Sequence, residues 1–211
     1  MPSRDALPPP PPPVHLRTWP HREALLADRA RALVELSRSV IGGRRLAYWL
    51  LTLAGLVVGV RMVTGSVGWF QQPQDPLTVV AAALLVCLGL AVLAPLVVAV
   101  VLGVRHDRTA RDRARAWAAL DPAPVRDPGL RAPGLSLAWL LLAFAQCAGG
   151  LWLSFAVPAS ARPGETTYAE VALAMGDGLV LWISGLIGAF TAVGHRRLVL
   201  ALAPPVTPRR G

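Results

Sequence analysis

Lysine and asparagine are absent from this chain of 211 residues, and isoleucine occurs only at Ile41, Ile183 and Ile187. Beside abundant Ala, Arg, Pro and Gly, that bias points to a GC-rich bacterial gene and says nothing about mechanism. Cysteine is nearly as scarce. Cys87 and Cys147 both lie within apolar runs, which excludes a secreted disulfide framework and predicts two buried thiols. Catalytic signatures are missing too: there is no HExxH, no GxxxxGKS/T, no GxSxG and no paired-carboxylate constellation. His106 and His195 have no carboxylate or cysteine company to complete a metal site. Ser184 stands about 16 Å from His195 by helix rise, too far for a nucleophile–base pair. No catalytic residue, metal or cofactor is expected, and the chain is not read as an enzyme.

What the chain does have is apolar sequence in uninterrupted runs. Hydrophobic residues make up 54% of it, above the roughly 45–50% of soluble domains. A bilayer crossing takes about 20 residues at 1.5 Å each, and four stretches are long enough: 46–70 (with Arg61 inside it), 77–104, 135–157 and 171–194. The expected fold is an all-α membrane protein with four transmembrane helices, paired as hairpins over 46–104 and 135–194. Two cytoplasmic amphipathic helices are expected beside them.

In chain order, residues 1–20 form a Pro-rich tail. Its six consecutive prolines, Pro8–Pro13, hold an extended polyproline II rod without internal hydrogen bonds. A disordered spacer is the simpler reading and a docking peptide the alternative. No signal peptide is expected, because the first apolar run begins only at Leu46. Residues 21–45 read as the first amphipathic helix. Leu26, Leu33 and Val40 recur every seven with Leu25 and Leu36 beside them, while Arg22, Arg29 and Arg38 point elsewhere. Such a helix lies on an anionic leaflet or packs against another helix or a partner. Residues 105–134 hold the second, an Arg-rich helix opening with RHDRTARDRARAWAAL and followed by a loop, too polar to enter a bilayer. Residues 195–211 form a basic tail.

Charge sets orientation. The net charge is +9, every basic residue is arginine, and segments 1–45, 105–134 and 195–211 hold 19 of the 21 arginines. The positive-inside rule then places both termini and the middle loop in the cytoplasm of a bacterial inner membrane. Trp49 and Trp139 near inner span ends, and Trp69 and Trp152 near outer ends, fit an aromatic belt. Attraction to an anionic inner leaflet, worth about 1 kcal/mol per arginine near the surface, accounts for the basic runs, so no nucleic-acid partner is expected.

DRARALVEL at 28–36 and DRARAWAAL at 112–120 share six identities in nine, and each precedes a hairpin. The pattern allows a parallel duplication of the unit helix, span, turn, span, a known transporter device. Pseudo-two-fold packing of the hairpins is its structural consequence.

Ionisable groups inside spans are the leading functional suspects, since each costs several kcal/mol unless paired. Arg61 and Asp177 qualify. Helix rise puts both about 22–26 Å above the inner boundary, at matching depth on the first and fourth spans. They either pair, as structure or as part of a path, or are solvated separately near the outer surface. Gln146, near mid-membrane on the third span, is expected to hydrogen-bond between helices. The spacings Gly55-xxx-Gly59 and Ser184-xxx-Gly188 permit close helix contact, and Pro95 should kink the second span where its missing N–H interrupts the ladder. The functional expectation is a structural or interaction scaffold that gathers a partner through a basic cytoplasmic face, the associations expected being an anionic lipid leaflet and a protein partner or a homo-oligomer. The alternative is a small transporter, channel or permease subunit working as an oligomer, with Asp177, Arg61 and Gln146 on its path.

Overall fold

The computed structural model describes residues 7–69, 75–120, 133–162 and 164–201, and among them the chain is all-helical with no strand. A single 3-10 turn at Val14–Leu16 precedes α1 (Arg22–Ile41), α2 (Gly43–Trp69), α3 (Pro76–Ala118), α4 (Pro133–Ser160) and α5 (Tyr168–Ala201). Four of these helices are long and apolar enough to cross a membrane.

Local chemistry explains the boundaries. α1 stops at Gly42, whose N–H donates to the Arg38 carbonyl at 2.9 Å. A Cβ at Gly42 would sit 2.3 Å from that same oxygen, so only glycine fits the break between α1 and α2. α3 opens with proline in its first turn, where the missing N–H costs nothing. Asp75 caps it, accepting from the Thr78 amide at 2.9 Å. The hydrogen bonds from Thr78 hold the Asp75 carboxyl below its ordinary value. α5 opens with a reciprocal capping box: Thr167 N–H donates to Glu170 Oε2 and Glu170 N–H to Thr167 Oγ1.

Hydropathy marks where a bilayer ends, but the helices do not stop there. The charged stretch 105–118 is the continuation of α3, a helix of 43 residues with Pro95 inside it. At 1.5 Å per residue it is about 64 Å long, twice a bilayer core. The expected separate Arg-rich helix is thus the end of the second apolar helix, and the loop after it, 121–132, lies outside the described residues. Likewise, the expected basic tail begins as helix: α5 continues through His195 to Ala201, and 202–211 are not described.

The chain divides into two compact units: Met1–Arg45 with Arg105–Trp139 and Phe190–Gly211, and Leu46–Val104 with Leu140–Ala189. In the first, the arginine-rich unit, the buried apolar residues are Ala32, Leu33, Leu36, Val40 and Ile41 of α1, Ala110, Ala114 and Trp117 of α3, Trp139 of α4 and Ala192 of α5. Arg29 corrects the sequence reading. Expected to point away from the apolar stripe, it is 1% exposed and stands on the same face as Leu33, Leu36 and Val40. The N-terminal tail also departs from expectation. Residues 7–13 are not a free spacer: the Arg113 guanidinium donates to the carbonyls of Leu7 and Pro8, and Trp117 Nε1 donates to that of Pro9.

The second unit is inverted relative to a water-soluble core. Its fully buried residues are small or polar, such as Thr52, Gly59, Ser66, Ala82, Gly89, Ala143, Gly150, Gly178 and Gly185. Its large apolar side chains face outward, with Leu84, Phe144, Trp152 and Phe155 each about two-thirds exposed or more. Such a surface would be costly in water, whereas in lipid it removes no favourable contact and lets small residues bring backbones together. Cys87 belongs to this exterior and is exposed, so only Cys147 approaches the expected burial.

Candidate functional site

Within the apolar unit the structure joins the two charged residues singled out by depth. Arg61 Nε donates to Asp177 Oδ2 at 2.8 Å. Arg61 lies eight residues before the Trp69 end of α2, and Asp177 nine after the Tyr168 end of α5. Each is therefore about 12–14 Å in from its helix end. Glycine makes the approach possible: a Cβ at Gly176 would stand 2.9 Å from Val60 Cγ1, so α5 seats against α2 one residue before the carboxylate. The two partners differ in burial, since the Asp177 side chain is 5% exposed and that of Arg61 60%. Asp177 is therefore not separately solvated. Its Oδ1 has no hydrogen-bond partner among the described residues.

Gln146 is buried, yet its Oε1 also lacks a partner among the described residues, so the expected interhelical bond from that oxygen does not form. Nearby hydroxyls do not bridge helices either: Thr52, Thr64 and Ser66 each donate to a carbonyl of their own helix. Gly55 and Gly59 pack as the spacing predicts, on Leu96 and Leu93 of α3. Gly188 meets Ala143 and the Trp49 ring, and Ser184 is buried.

The tightest seam was not anticipated. A Cβ at Gly150 would lie 2.6 Å from the Gly178 carbonyl, one at Gly178 2.7 Å from the Gly150 carbonyl, and one at Gly185 2.8 Å from the Ala143 carbonyl. α4 and α5 thus touch backbone to backbone. The sequence signal was available in Gly178 and Gly185, seven residues apart and so on one helix face.

In the arginine-rich unit, Arg45 at the start of α2 pairs with Asp107 of α3 at 3.2 Å, the carboxylate being 7% exposed. Arg111 Nη1 reaches the Phe190 carbonyl of α5 at 3.4 Å. The two DRAR copies carry the same local pair, Arg31–Asp28 and Arg115–Asp112, both exposed. Around them Arg22, Arg38, Arg44, Arg105, Arg108, Arg196 and Arg197 are exposed, a surface dominated by one sign.

Burial raises the Asp107 carboxyl above its ordinary value, more than the nearby Arg45 charge lowers it. A raised folded-state value means the charged form burdens the folded protein. That burden is present above the raised value and is relieved as pH falls through it toward the unfolded value. The thermal midpoint in detergent is therefore expected to rise for the wild type relative to Asp107→Asn as pH falls from neutrality through the Asp107 titration. A constant difference across that range would count against it.

No family model, curated protein or solved structure matches this chain.

Proposed function

We propose that this is a multi-pass protein of the bacterial inner membrane, with both termini and residues 105–132 in the cytoplasm, that acts as an interaction scaffold. The supporting observation is that segments far apart in sequence, lying mostly outside the four apolar runs, belong to one compact unit with buried apolar residues and an arginine exterior. Flexible tails that merely satisfied the positive-inside rule need no buried Leu33, Leu36 or Trp117. α1 and the 105–118 end of α3, called its outer end because it lies beyond the apolar run, are its two amphipathic cytoplasmic helices. The exposed arginines suit an acidic protein surface and the anionic inner leaflet.

The test is native mass spectrometry of the full chain, isolated from its host in mild detergent, beside a variant with Arg31, Arg38, Arg108 and Arg115 replaced by Gln. The scaffold reading expects a stoichiometric partner that is lost in the Gln variant and kept in Asp177→Asn. A homo-oligomer alone, unchanged in both, overturns it.

A transport reading has its own support, Asp177 Oδ1 and Gln146 Oε1, which lack a hydrogen-bond partner among the described residues of the apolar unit. An ionisable group inside a span is a candidate path residue. Substrate flux in proteoliposomes, abolished by Asp177→Asn, would favour it over the scaffold.

A further inference from the structure

We infer that the outer end of α3 is a receptor for polyproline II peptides, occupied in this chain by its own residues 7–13. The inference rests on the arginine-rich unit alone and holds whether or not the basic face recruits a partner.

The geometry is a match of two helical repeats. Arg113 and Trp117 stand one turn apart on α3, so their donors are offset by about 6.0 Å along the axis, four residues at 1.5 Å. A polyproline II strand advances about 3.1 Å per residue, so carbonyls two residues apart are offset by about 6.2 Å. The Leu7 and Pro9 carbonyls are taken in that register, and Arg113 also reaches the Pro8 carbonyl between them. Arg113 Nη1 donates to Leu7 O at 3.1 Å and Pro8 O at 2.8 Å, and Trp117 Nε1 donates to Pro9 O at 3.0 Å. The segment therefore runs in the same direction as α3, from 113 toward 117.

The chemistry is complementary as well. Proline has a carbonyl and no N–H, so a proline run presents acceptors only. Arginine and the indole N–H are donors only. A polyproline strand bonds nothing within itself, so its carbonyls are free to accept, and its stiffness lowers the entropy cost of ordering. Trp117 is 7% exposed, which fixes its N–H in one direction. Arg17 Nε secures the far end of the run on Pro12 O at 3.2 Å. Six successive prolines repeat the same acceptor row, so the site reads backbone and conformation rather than one side chain. A proline-rich segment of another protein, presenting the same acceptors, fits the same donors.

Tethered through the short stretch 14–21, the resident segment competes at an effective concentration of roughly millimolar. An outside peptide therefore meets a closed site until the resident strand is weakened. The test uses the full chain in detergent micelles and, as probe, a fluorescein-labelled peptide of sequence LPPPPPPV, read by anisotropy. In a variant with Pro8→Gly, Pro9→Gly and Pro10→Gly the peptide should bind at least about tenfold tighter than to the wild type. Adding Trp117→Phe, which keeps a ring and removes the N–H, or Arg113→Gln should weaken that binding by about tenfold. A control peptide with alternate prolines replaced by glycine should bind no better to the glycine variant than to the wild type. No binding to the glycine variant at millimolar peptide overturns the inference. So does binding that ignores both Trp117→Phe and Arg113→Gln.

Discussion

Gly178→Leu is expected to leave little or no folded protein in mild detergent, and Gly178→Ala to cost about 2–3 kcal/mol, the scale of an overpacked core. The reason is which atoms a Cβ would meet. At Gly178 they are Ser154 Oγ, the Gly150 carbonyl and the Ser154 amide nitrogen, at 2.3, 2.7 and 2.9 Å. Two of the three are backbone, so no rotamer change relieves the clash and the helices must part. Parting them forfeits the close packing that holds helices together in lipid, where no hydrophobic force between helices replaces it. Gly149→Ala is the control, since its Cβ would meet nothing within 4 Å. Denaturation by SDS, followed by circular dichroism, reads both. An unchanged midpoint for Gly178→Ala would show that α4 and α5 do not meet at this seam.

The second large effect belongs to the ion pair. Asp177→Ala leaves Arg61 without its carboxylate inside the span, where an uncompensated arginine costs at most the roughly 2.5–3.5 kcal/mol that insertion scales give at the helix centre. Because the Arg61 side chain is 60% exposed, it will recover part of this by reaching toward the polar boundary. A net loss of about 2 kcal/mol is expected. Arg61→Leu leaves a buried carboxylate instead and should cost a similar amount. The double variant Arg61→Leu with Asp177→Leu should be less destabilised than the sum of the singles by about 1–3 kcal/mol, the coupling expected of contacting residues. Additive losses would mean that the 2.8 Å bond holds nothing together.

The matching depth of Arg61 and Asp177 was legible because helix rise alone fixes depth. Which faces of α2 and α5 meet, and so whether the two pair, depends on packing that no run length encodes. Four apolar helices were legible because run length against bilayer thickness decides them. Three features were not. Arg29 stands outside the buried stripe in a reading that counts arginine as polar, although 29, 33, 36 and 40 are spaced four, three and four apart, one face of a helix. The α4–α5 seam does not show as glycines four apart, because the contact sets Gly178 against Gly150 and Gly185 against Ala143, with Gly178 and Gly185 seven apart. The proline segment reads identically whether free or held. Its partners, Arg113 and Trp117, are about a hundred residues away, and no local pattern links a row of carbonyls to two distant donors.

The account rests on residues 1–45, 105–132 and 195–211 sharing one side of the membrane, and cysteine mapping tests that most directly. In a Cys87→Ser, Cys147→Ala background, single cysteines would replace the exposed Arg31, Arg115 and Arg162 in turn. Each would then meet a membrane-impermeant maleimide in spheroplasts and in inverted vesicles. Positions 31 and 115 should label only in inverted vesicles, and 162 only in spheroplasts. Labelling of 31 and 115 from opposite faces, or of all three from the same face, would contradict the shared cytoplasmic unit and the scaffold built on it.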